Sequence, residues 1–261
     1  LLSRRQRQMC IRDRNRSGKM LKTLVVIPAY NEALNIKKTV IDLKNNAPDV
    51  DYVVVNDGSK DNTLEVLEQN NFNYIDSICN LGLFGAVQTG FKLAMKEKYD
   101  VVIQFDGDGQ HSAKYIDLLV KEIENGNSIV IGSRFVDEKK PFTARMIGSR
   151  LIAGAIKLIT GKTIKDPTSG FRAYDKACIR DYATEMNNPP EPDTLVYMLR
   201  KNRKIKEVQV QMSEREFGES YLDLVNTIKY MSRMMVSIFL IQPFRTVSYT
   251  HLRAHETRGN L

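Results

Sequence analysis

Short apolar runs alternate with stretches of helical periodicity along residues 23–132. Runs rich in Val and Ile and bounded by Asn, Asp and Gly are typical of buried strands, and apolar residues three and four positions apart are typical of helices. The pattern predicts strands at 23–28, 52–56, 74–78, 100–105 and 128–132, with helices at 31–45, 63–69, 86–96 and 112–124. We therefore expect an α/β fold, with a Rossmann-like, mostly parallel central sheet flanked by helices.

The last periodic segment predicts a C-terminal amphipathic helix within residues 222–245. Its apolar stripe consists of Leu224, Ile228, Met231, Met235 and Ile238. Such a stripe either packs onto the domain or lies in a membrane interface, and both interpretations stay open here. No apolar run approaches the roughly 18 to 20 residues that a spanning helix needs.

The two ends of the chain differ from the rest in composition. Residues 1–19 carry seven basic side chains against one acid and so supply most of the net charge of +8. Segments 1–19 and 246–261 lack apolar periodicity, and MCIRDR and VSYTHLRAHETRGNL resemble translated sequencing adapters. We interpret both as non-native extensions of a protein whose catalytic domain lies at 20–221. Without the basic residues of 1–19, little net charge remains to indicate nucleic-acid binding. A genuine basic arm for an acidic partner is the alternative.

The composition excludes two broad classes of protein. With 42% hydrophobic residues, the chain can bury a core and is not a disordered polypeptide. Cys10, Cys79 and Cys178 are too few and too scattered for a disulfide framework or a clustered metal site. Since no secretory signal pattern is present either, we expect reduced thiols and a cytoplasmic protein.

Three clusters of polar residues follow three predicted strands, at 28–32, 56–61 and 106–111. Repeated β/α units bring the carboxyl ends of their strands to one rim, where ligands bind. Each cluster alone is also what a turn or a helix cap requires, and for 56–61 the two explanations have equal weight. Their convergence on one rim predicts a binding site there.

The third cluster, FDGDGQH, indicates a cation site. Asp106 and Asp108 are separated by one residue, so their carboxylates can point to the same side, where their repulsion needs a cation. With the Gln110 side-chain oxygen they form an all-oxygen ligand set for Mg²⁺ or Mn²⁺. A lone histidine such as His111 is less often a ligand than a hydrogen-bonded neighbour. Because such ions complete their shells with phosphate oxygens, the cluster indicates transfer from a nucleoside diphosphate compound.

Eight motifs in one order carry a family resemblance. They are VVIPAYNE (25–32), VVNDGSKDNT (54–63), NLGLFGAVQTGF (80–91), FDGDGQH (105–111), GSRF (132–135), DPTSGFRAY (166–174), PEPD (190–193) and RxxGxS (215–220). On these motifs the chain resembles the family 2 glycosyltransferases of GT-A fold, near the branch of polyprenyl-phosphate sugar synthases such as dolichyl-phosphate mannose synthase. The resemblance implies a UDP-sugar or GDP-sugar donor, a divalent cation, and transfer with inversion at the anomeric carbon.

The resemblance also implies which residues act on the donor side. Asp108 would be the principal metal ligand and a catalytic residue, with Asp106 and Gln110 as further ligands. Arg215 would approach the diphosphate, since a guanidinium matches phosphate oxygens. The implied donor-binding residues are Pro28, Tyr30, Glu32, Asp57, Asp106 and Arg215.

Two segments bear on the acceptor. Ser169 and Arg172 lie in a turn that resembles the family's acceptor-side motif, although an ordinary turn before a helix has the same composition. Glu191 and Asp193 occupy the family's general-base position, but negative charges there also favour the N-terminus of the following helix. A hydroxyl acceptor needs a base and a phosphate acceptor does not. We expect a polyprenyl phosphate acceptor, and so a peripheral position at the inner membrane face.

Other classes of function share some of these sequence features. The same donor chemistry onto a sugar hydroxyl, in cell-surface polysaccharide synthesis, and a non-catalytic nucleotide-sugar-binding protein both stay open. A processive synthase would carry a QxxRW motif, and this chain has no Trp. A sugar-phosphate nucleotidyltransferase would need a Gly-rich loop early in the chain, which VVIPAYNE does not supply.

Overall fold

The buried β-branched runs of the chain form one seven-stranded sheet. The computed structural model describes residues 21–138, 140–185, 190–213 and 224–242. The strand order is β3-β2-β1-β4-β6-β5-β7, and every pairing is parallel except those of β6 with β4 and β5. The strands are β1 Thr23–Ala29, β2 Asp51–Asn56, β3 Tyr74–Asp76, β4 Val101–Gln104, β5 Ile129–Ser133, β6 Arg172–Asp175 and β7 Ile205–Gln209.

Helices cover both faces of this sheet. Among the described residues, none of them is both long enough and apolar enough to cross a membrane. A 3₁₀ turn precedes α4, and π-helical turns at Asp181–Glu185 and Ser237–Ile241 follow α6 and α8. The helices are α1 Ile36–Asn46, α2 Thr63–Gln69, α3 Gly82–Lys96, α4 Ile116–Glu124, α5 Ala144–Thr160, α6 Lys176–Arg180, α7 Pro192–Arg200 and α8 Leu224–Val236.

Strand β1 shows how the alternation of side chains builds two cores. Val25 and Ile27 point to the face covered by α1, α2 and α4, whereas Leu24 and Val26 point to the face covered by α3, α5 and α7. All four side chains are almost fully buried. Each contributes about 2 kcal/mol by leaving water, so the central strands hold the loops at their ends in fixed positions.

The predicted fold class is confirmed, and the five predicted strands lie within two residues of their observed limits. Helix α1 begins later than predicted because Asn31 has a positive φ of 56° and 33–35 forms a turn. The pattern did not predict α5, β6 or β7. The helix expected within 222–245 is described from 224 to 242, where α8 is followed by a π-helical turn. The predicted non-native ends lie outside the described residues.

Candidate active site

The predicted donor residues meet in one cavity at the carboxyl edge of the sheet. The loops after β1, β2 and β4 enclose about 420 Å³, together with the start of α3. The parallel pairing of β1 with β2 and β4 aligns these three loop starts. The lining residues include Pro28, Tyr30, Glu32, Asp57, Asp106 and Asp108. Gln110 is not part of this lining, and Arg215 lies outside the described residues.

The loops after β1 and β2 are joined by reciprocal hydrogen bonds. The Asn31 amide N–H donates to Ser59 Oγ at 3.0 Å, and Lys60 N–H donates to Asn31 Oδ1 at 2.8 Å. Asp61 accepts from Ala33 N–H at 3.1 Å. Much of the 56–61 cluster therefore serves the turn, which was one of the two explanations for its composition.

Asp57 differs from its neighbours in that cluster because its carboxylate faces away from the turn. It is 3% exposed, and Oδ1 accepts from Leu81 N–H at 2.8 Å. Gly58 next to it has φ +64°, and a Cβ there would lie 2.8 Å from Asn80 N. Because Gly58 has no side chain, the loop before α3 can pack directly against the loop after β2. This packing holds Asp57 in the wall of the cavity.

The loop after β4 presents the carboxylate pair. Gly107 passes so close to β1 that a Cβ would lie 3.0 Å from Pro28 O, and its own carbonyl accepts from Thr39 Oγ1. Asp108 Oδ1 accepts from Gln110 N–H at 3.1 Å. The side chain of Asp106 is 34% exposed. Among the described residues, no group of three or more His, Cys, Asp or Glu side chains could hold a metal.

The turn that resembles the family's acceptor-side motif is built around two buried polar side chains. Arg172 is 1% exposed, and its guanidinium donates to three backbone carbonyls, those of Pro167, Ser169 and Pro190, at 2.6 to 2.7 Å. Ser169 Oγ donates to Gly132 O at 2.6 Å and is equally buried. Neither side chain is open to an acceptor, because both are used to shape the turn.

The two candidate bases are held by the C-terminal helix. Arg233 of α8 donates to both Glu191 oxygens, at 2.9 and 3.0 Å. Asp193 is 3% exposed, and its Oδ2 accepts from Ser237 Oγ at 2.5 Å and Gln242 Nε2 at 3.0 Å. Burial raises the pKa of Glu191 above its usual value, and the Arg233 charge opposes this shift. Neither carboxylate lines the donor cavity.

A cationic cluster that the sequence pattern did not predict lies beside the acceptor-side turn. Lys140 Nζ donates to Ser149 Oγ at 2.8 Å, and Ser149 Oγ lies 3.3 Å from Thr168 Oγ1. Arg150 lies beside them, and its enclosed Nη1 has no hydrogen-bond partner among the described residues. Burial lowers the pKa of Lys140. These cations line a second cavity, of about 850 Å³, together with Lys165 and the carboxylates Asp137 and Glu138.

Two of the sequence motifs indicate part of this region, but none of them contains Lys140, Ser149 or Arg150. Arg134 belongs to the GSRF motif, and its guanidinium pairs with the fully buried Asp166 of the DPTSGFRAY motif at 2.9 and 3.1 Å. The two motifs therefore form one unit. Lys140, Ser149 and Arg150 lie in or just before α5, for which the sequence analysis predicted no element.

The sheet order, the cavity at the carboxyl edge of the sheet and the carboxylate pair beside it agree with the GT-A architecture that the sequence resemblance implies. Residues 24–183 match the family described as Glycosyl transferase family 2. The chain belongs to this family and is a glycosyltransferase.

Named relatives cover most of the chain. A dolichol-phosphate mannosyltransferase from Pyrococcus furiosus is 34% identical over 224 residues, which are 81% of this chain and 62% of the relative. An undecaprenyl-phosphate mannosyltransferase from Micrococcus luteus is 29% identical over 215 residues, 77% of this chain and 87% of the relative.

Solved structures share the fold at lower identity. Glucosyl-3-phosphoglycerate synthase from Mycobacterium tuberculosis, in complex with Mn²⁺, UDP and glucosyl-3-phosphoglycerate, superposes with a TM-score of 0.61. It is 18% identical, and the match covers 85% of this chain and 80% of that one. This likeness concerns the fold, and it agrees with the predicted GT-A architecture.

Proposed function

We propose that this chain is a metal-dependent, inverting glycosyltransferase that moves a sugar from a nucleoside diphosphate sugar to a polyprenyl phosphate. One observation carries the choice of acceptor. The candidate bases Glu191 and Asp193 are hydrogen-bonded to side chains of the C-terminal helix. Lys140 and Arg150, in contrast, line the second cavity. A phosphate nucleophile needs cations to position it and no base to deprotonate it.

On the donor side, the chain supplies a fixed cavity for the nucleotide. Tyr30 and Glu32 line it from the β1 loop, and Asp57 lines it from the β2 loop. Asp57 keeps one carboxylate oxygen beyond the bond to Leu81, so it can accept a hydrogen bond from the base. This arrangement orients the donor but does not select between uracil and guanine as its base. The names of the relatives do not select one either, because one relative is named for UDP-N-acetylglucosamine and another for mannose.

The donor set fits Mg²⁺ or Mn²⁺. Asp106, Asp108 and Gln110 offer only oxygen ligands. Since no third carboxylate joins them within the described part of the chain, the diphosphate and water would complete the shell. When bound there, the ion neutralises charge that develops on the leaving diphosphate. The backbone of Gly107 holds the two aspartates near the cavity edge, and we propose that Arg215 adds a positive charge to the diphosphate.

The donor and acceptor sides are joined through one turn. A Cβ on Gly170 would lie 2.5 Å from Asp106 Oδ2, so the turn lies directly against the Asp106 carboxylate. Thr168 of the same turn contacts Ser149, which Lys140 contacts in turn. We propose that Lys140 and Arg150 hold the acceptor phosphate close to the donor sugar. An in-line attack from that side inverts the anomeric carbon.

Exposed apolar side chains near the second cavity suit a lipid acceptor. On α5 these are Ile147, Leu151 and Leu158, exposed by 49%, 56% and 77%. Helix α5 packs against α8 and the π-helical turn, where Phe239, Leu240 and Ile241 are also exposed. We propose that this surface rests in the membrane interface, which would place the protein peripherally on the membrane that holds its acceptor.

The test is a transfer assay with defined substrates. The chain is incubated with UDP-sugars and GDP-sugars, with undecaprenyl phosphate in detergent micelles, and with Mg²⁺, Mn²⁺ or EDTA. We expect nucleoside diphosphate release that requires both the lipid phosphate and the metal. Equal release with undecaprenol, which carries a hydroxyl in place of the phosphate, would contradict the proposed acceptor, and equal release in EDTA would contradict the metal.

A further inference from the structure

His111 lies in a rigid aromatic cage below the carboxylate pair. It is 7% exposed. Its ring stacks on Phe171 with centroids 5.0 Å apart and an interplanar angle of 19°. Phe105 meets it edge-on at 5.4 Å. Both phenylalanines are fully buried, so they hold the plane of the imidazole in place.

The backbone fixes which ring nitrogen of His111 carries the proton. Asp106 N–H donates to His111 Nδ1 at 3.1 Å. Since Nδ1 accepts, the neutral ring carries its hydrogen on Nε2. His111 Nε2 lies 3.6 Å from Asp106 Oδ2, just beyond hydrogen-bond distance. The ring is therefore placed beside both the backbone amide and the carboxylate of Asp106, and a small shift would bring Nε2–H into hydrogen-bond distance.

Asp106 Oδ2 is enclosed from a second side as well. Gly170 approaches it so closely that any side chain at that position would displace the carboxylate. One oxygen of Asp106 is thus confined between an N–H donor and a glycine backbone. A carboxylate that binds a cation with one oxygen is oriented by a donor at the other, and removing such a donor typically costs 10- to 100-fold in metal affinity.

We propose that His111 is a positioning residue, whose Nε2–H orients the Asp106 carboxylate toward the metal and the diphosphate. This inference rests on the proposed function, because it concerns the cation that the proposed reaction uses. It assigns to His111 an action through Asp106 and no contact with the substrate.

Two substitutions separate the two contacts of the ring. His111→Gln keeps a donor near the position of Nε2 and loses the acceptor at Nδ1. His111→Asn keeps an acceptor near the position of Nδ1 and loses the donor that faces Asp106. Gly170→Ala is a third, independent change, because it crowds Asp106 Oδ2 directly. Phe72→Leu, in the core remote from the cavity, serves as a control for lost stability.

The measurement is the metal-dependent gain in nucleotide affinity. Calorimetry gives the Kd of UDP or GDP, whichever binds the wild type more tightly, in EDTA and in Mn²⁺, and the ratio is compared among variants. We expect the ratio to fall about tenfold in His111→Asn and in Gly170→Ala. It should stay within about threefold of the wild-type ratio in His111→Gln and be unchanged in Phe72→Leu.

The outcomes separate this inference from the proposed function. An unchanged ratio in His111→Asn, or an equal loss in His111→Asn and His111→Gln, would overturn the positioning role. If His111→Asn does not fold, Gly170→Ala decides, and a wild-type ratio in that variant overturns it. A wild-type chain whose nucleotide affinity is the same in EDTA and Mn²⁺ contradicts the metal-dependent function itself, and the inference with it.

Discussion

The donor side and the acceptor side of this protein are held together in different ways. The donor cavity is formed by loops that directly follow β1, β2 and β4. Hydrogen bonds between the β1 and β2 loops stabilise it. The acceptor side is held by charged groups far apart in the chain, such as Arg134 with Asp166 and Arg233 with Glu191. Substitutions on the donor side should therefore reduce the reaction first, and substitutions on the acceptor side should often reduce stability first.

The largest effect on the reaction should come from Asp108→Ala. Losing a ligand of the proposed metal site should remove several kcal/mol of leaving-group stabilisation, which corresponds to roughly a 10³-fold loss in turnover. The transfer assay at saturating donor measures it, and the melting temperature should barely change. Asp117→Ala, on the exposed face of α4, is the control. Turnover equal to the wild type would remove Asp108 from the site.

The largest effect on stability should come from Arg172→Met. This change leaves three buried carbonyls without a donor, so the free energy of unfolding should fall by roughly 3 kcal/mol or more. Urea denaturation measures the loss. Arg172→Lys, which restores the charge with fewer donors, should recover part of it. A stable Arg172→Met variant with weakened acceptor binding would instead favour the direct contact that the sequence suggested.

A smaller and more selective effect is expected from Lys140→Met. If Lys140 holds the acceptor phosphate, losing one charge-assisted bond of about 1.5 to 3 kcal/mol should raise the KM for lipid phosphate roughly 10- to 100-fold. The KM for the donor should not change. Lys121→Met, on the exposed side of α4, is the matched control. Equal KM increases for donor and acceptor would contradict the division between the two sides.

The carboxamide variants Glu191→Gln and Asp193→Asn should change turnover by less than about tenfold, because each can still accept from its partners in α8 and the π-helical turn. A general base would contribute roughly 10² to 10⁴ in rate. Transfer kinetics at saturating substrates decide between these ranges. If the loss lies in the larger range while fold and donor binding are intact, the carboxylate acts as a general base, and a hydroxyl acceptor is favoured over a phosphate.

The smallest effect concerns pH. Burial raises the pKa of Glu191, so the folded state binds this proton more tightly than the unfolded state. The contribution of Glu191 to stability is therefore fully present below the usual carboxyl range and decreases as the pH rises through the raised pKa. We expect the melting temperature of Glu191→Gln relative to the wild type to increase between about pH 4.3 and pH 7. An opposite trend would mean that the Arg233 charge outweighs burial.

The same contrast explains how much could be predicted from the sequence. The donor side was predictable because parallel β/α units place turn residues at one edge, and Pro28, Tyr30, Glu32, Asp57 and the aspartate pair all line one cavity there. Local rules of periodicity and turn composition were sufficient to locate these clusters, since parallel strand pairing brings their loops to the same edge of the sheet.

The acceptor side was less predictable because burial there depends on distant partners. Nothing local to Arg172 indicates that Pro190, 18 residues away, will receive its guanidinium. Nothing local to Asp193 indicates that Ser237 will donate to it across 44 positions. The antiparallel strand β6 also begins at Arg172, so a motif that resembles a surface turn leads directly into the middle of the sheet.

The π-helical turn at Ser237–Ile241 makes the C-terminal segment sensitive to length. Its wider winding brings Ser237 and Gln242, five positions apart, onto the same oxygen of Asp193. Deleting one residue within the turn would restore the α-helical register and rotate everything after it by about 100°. Gln242 would then face away from Asp193, so this end of the chain should accept changes of residue far more readily than insertions or deletions.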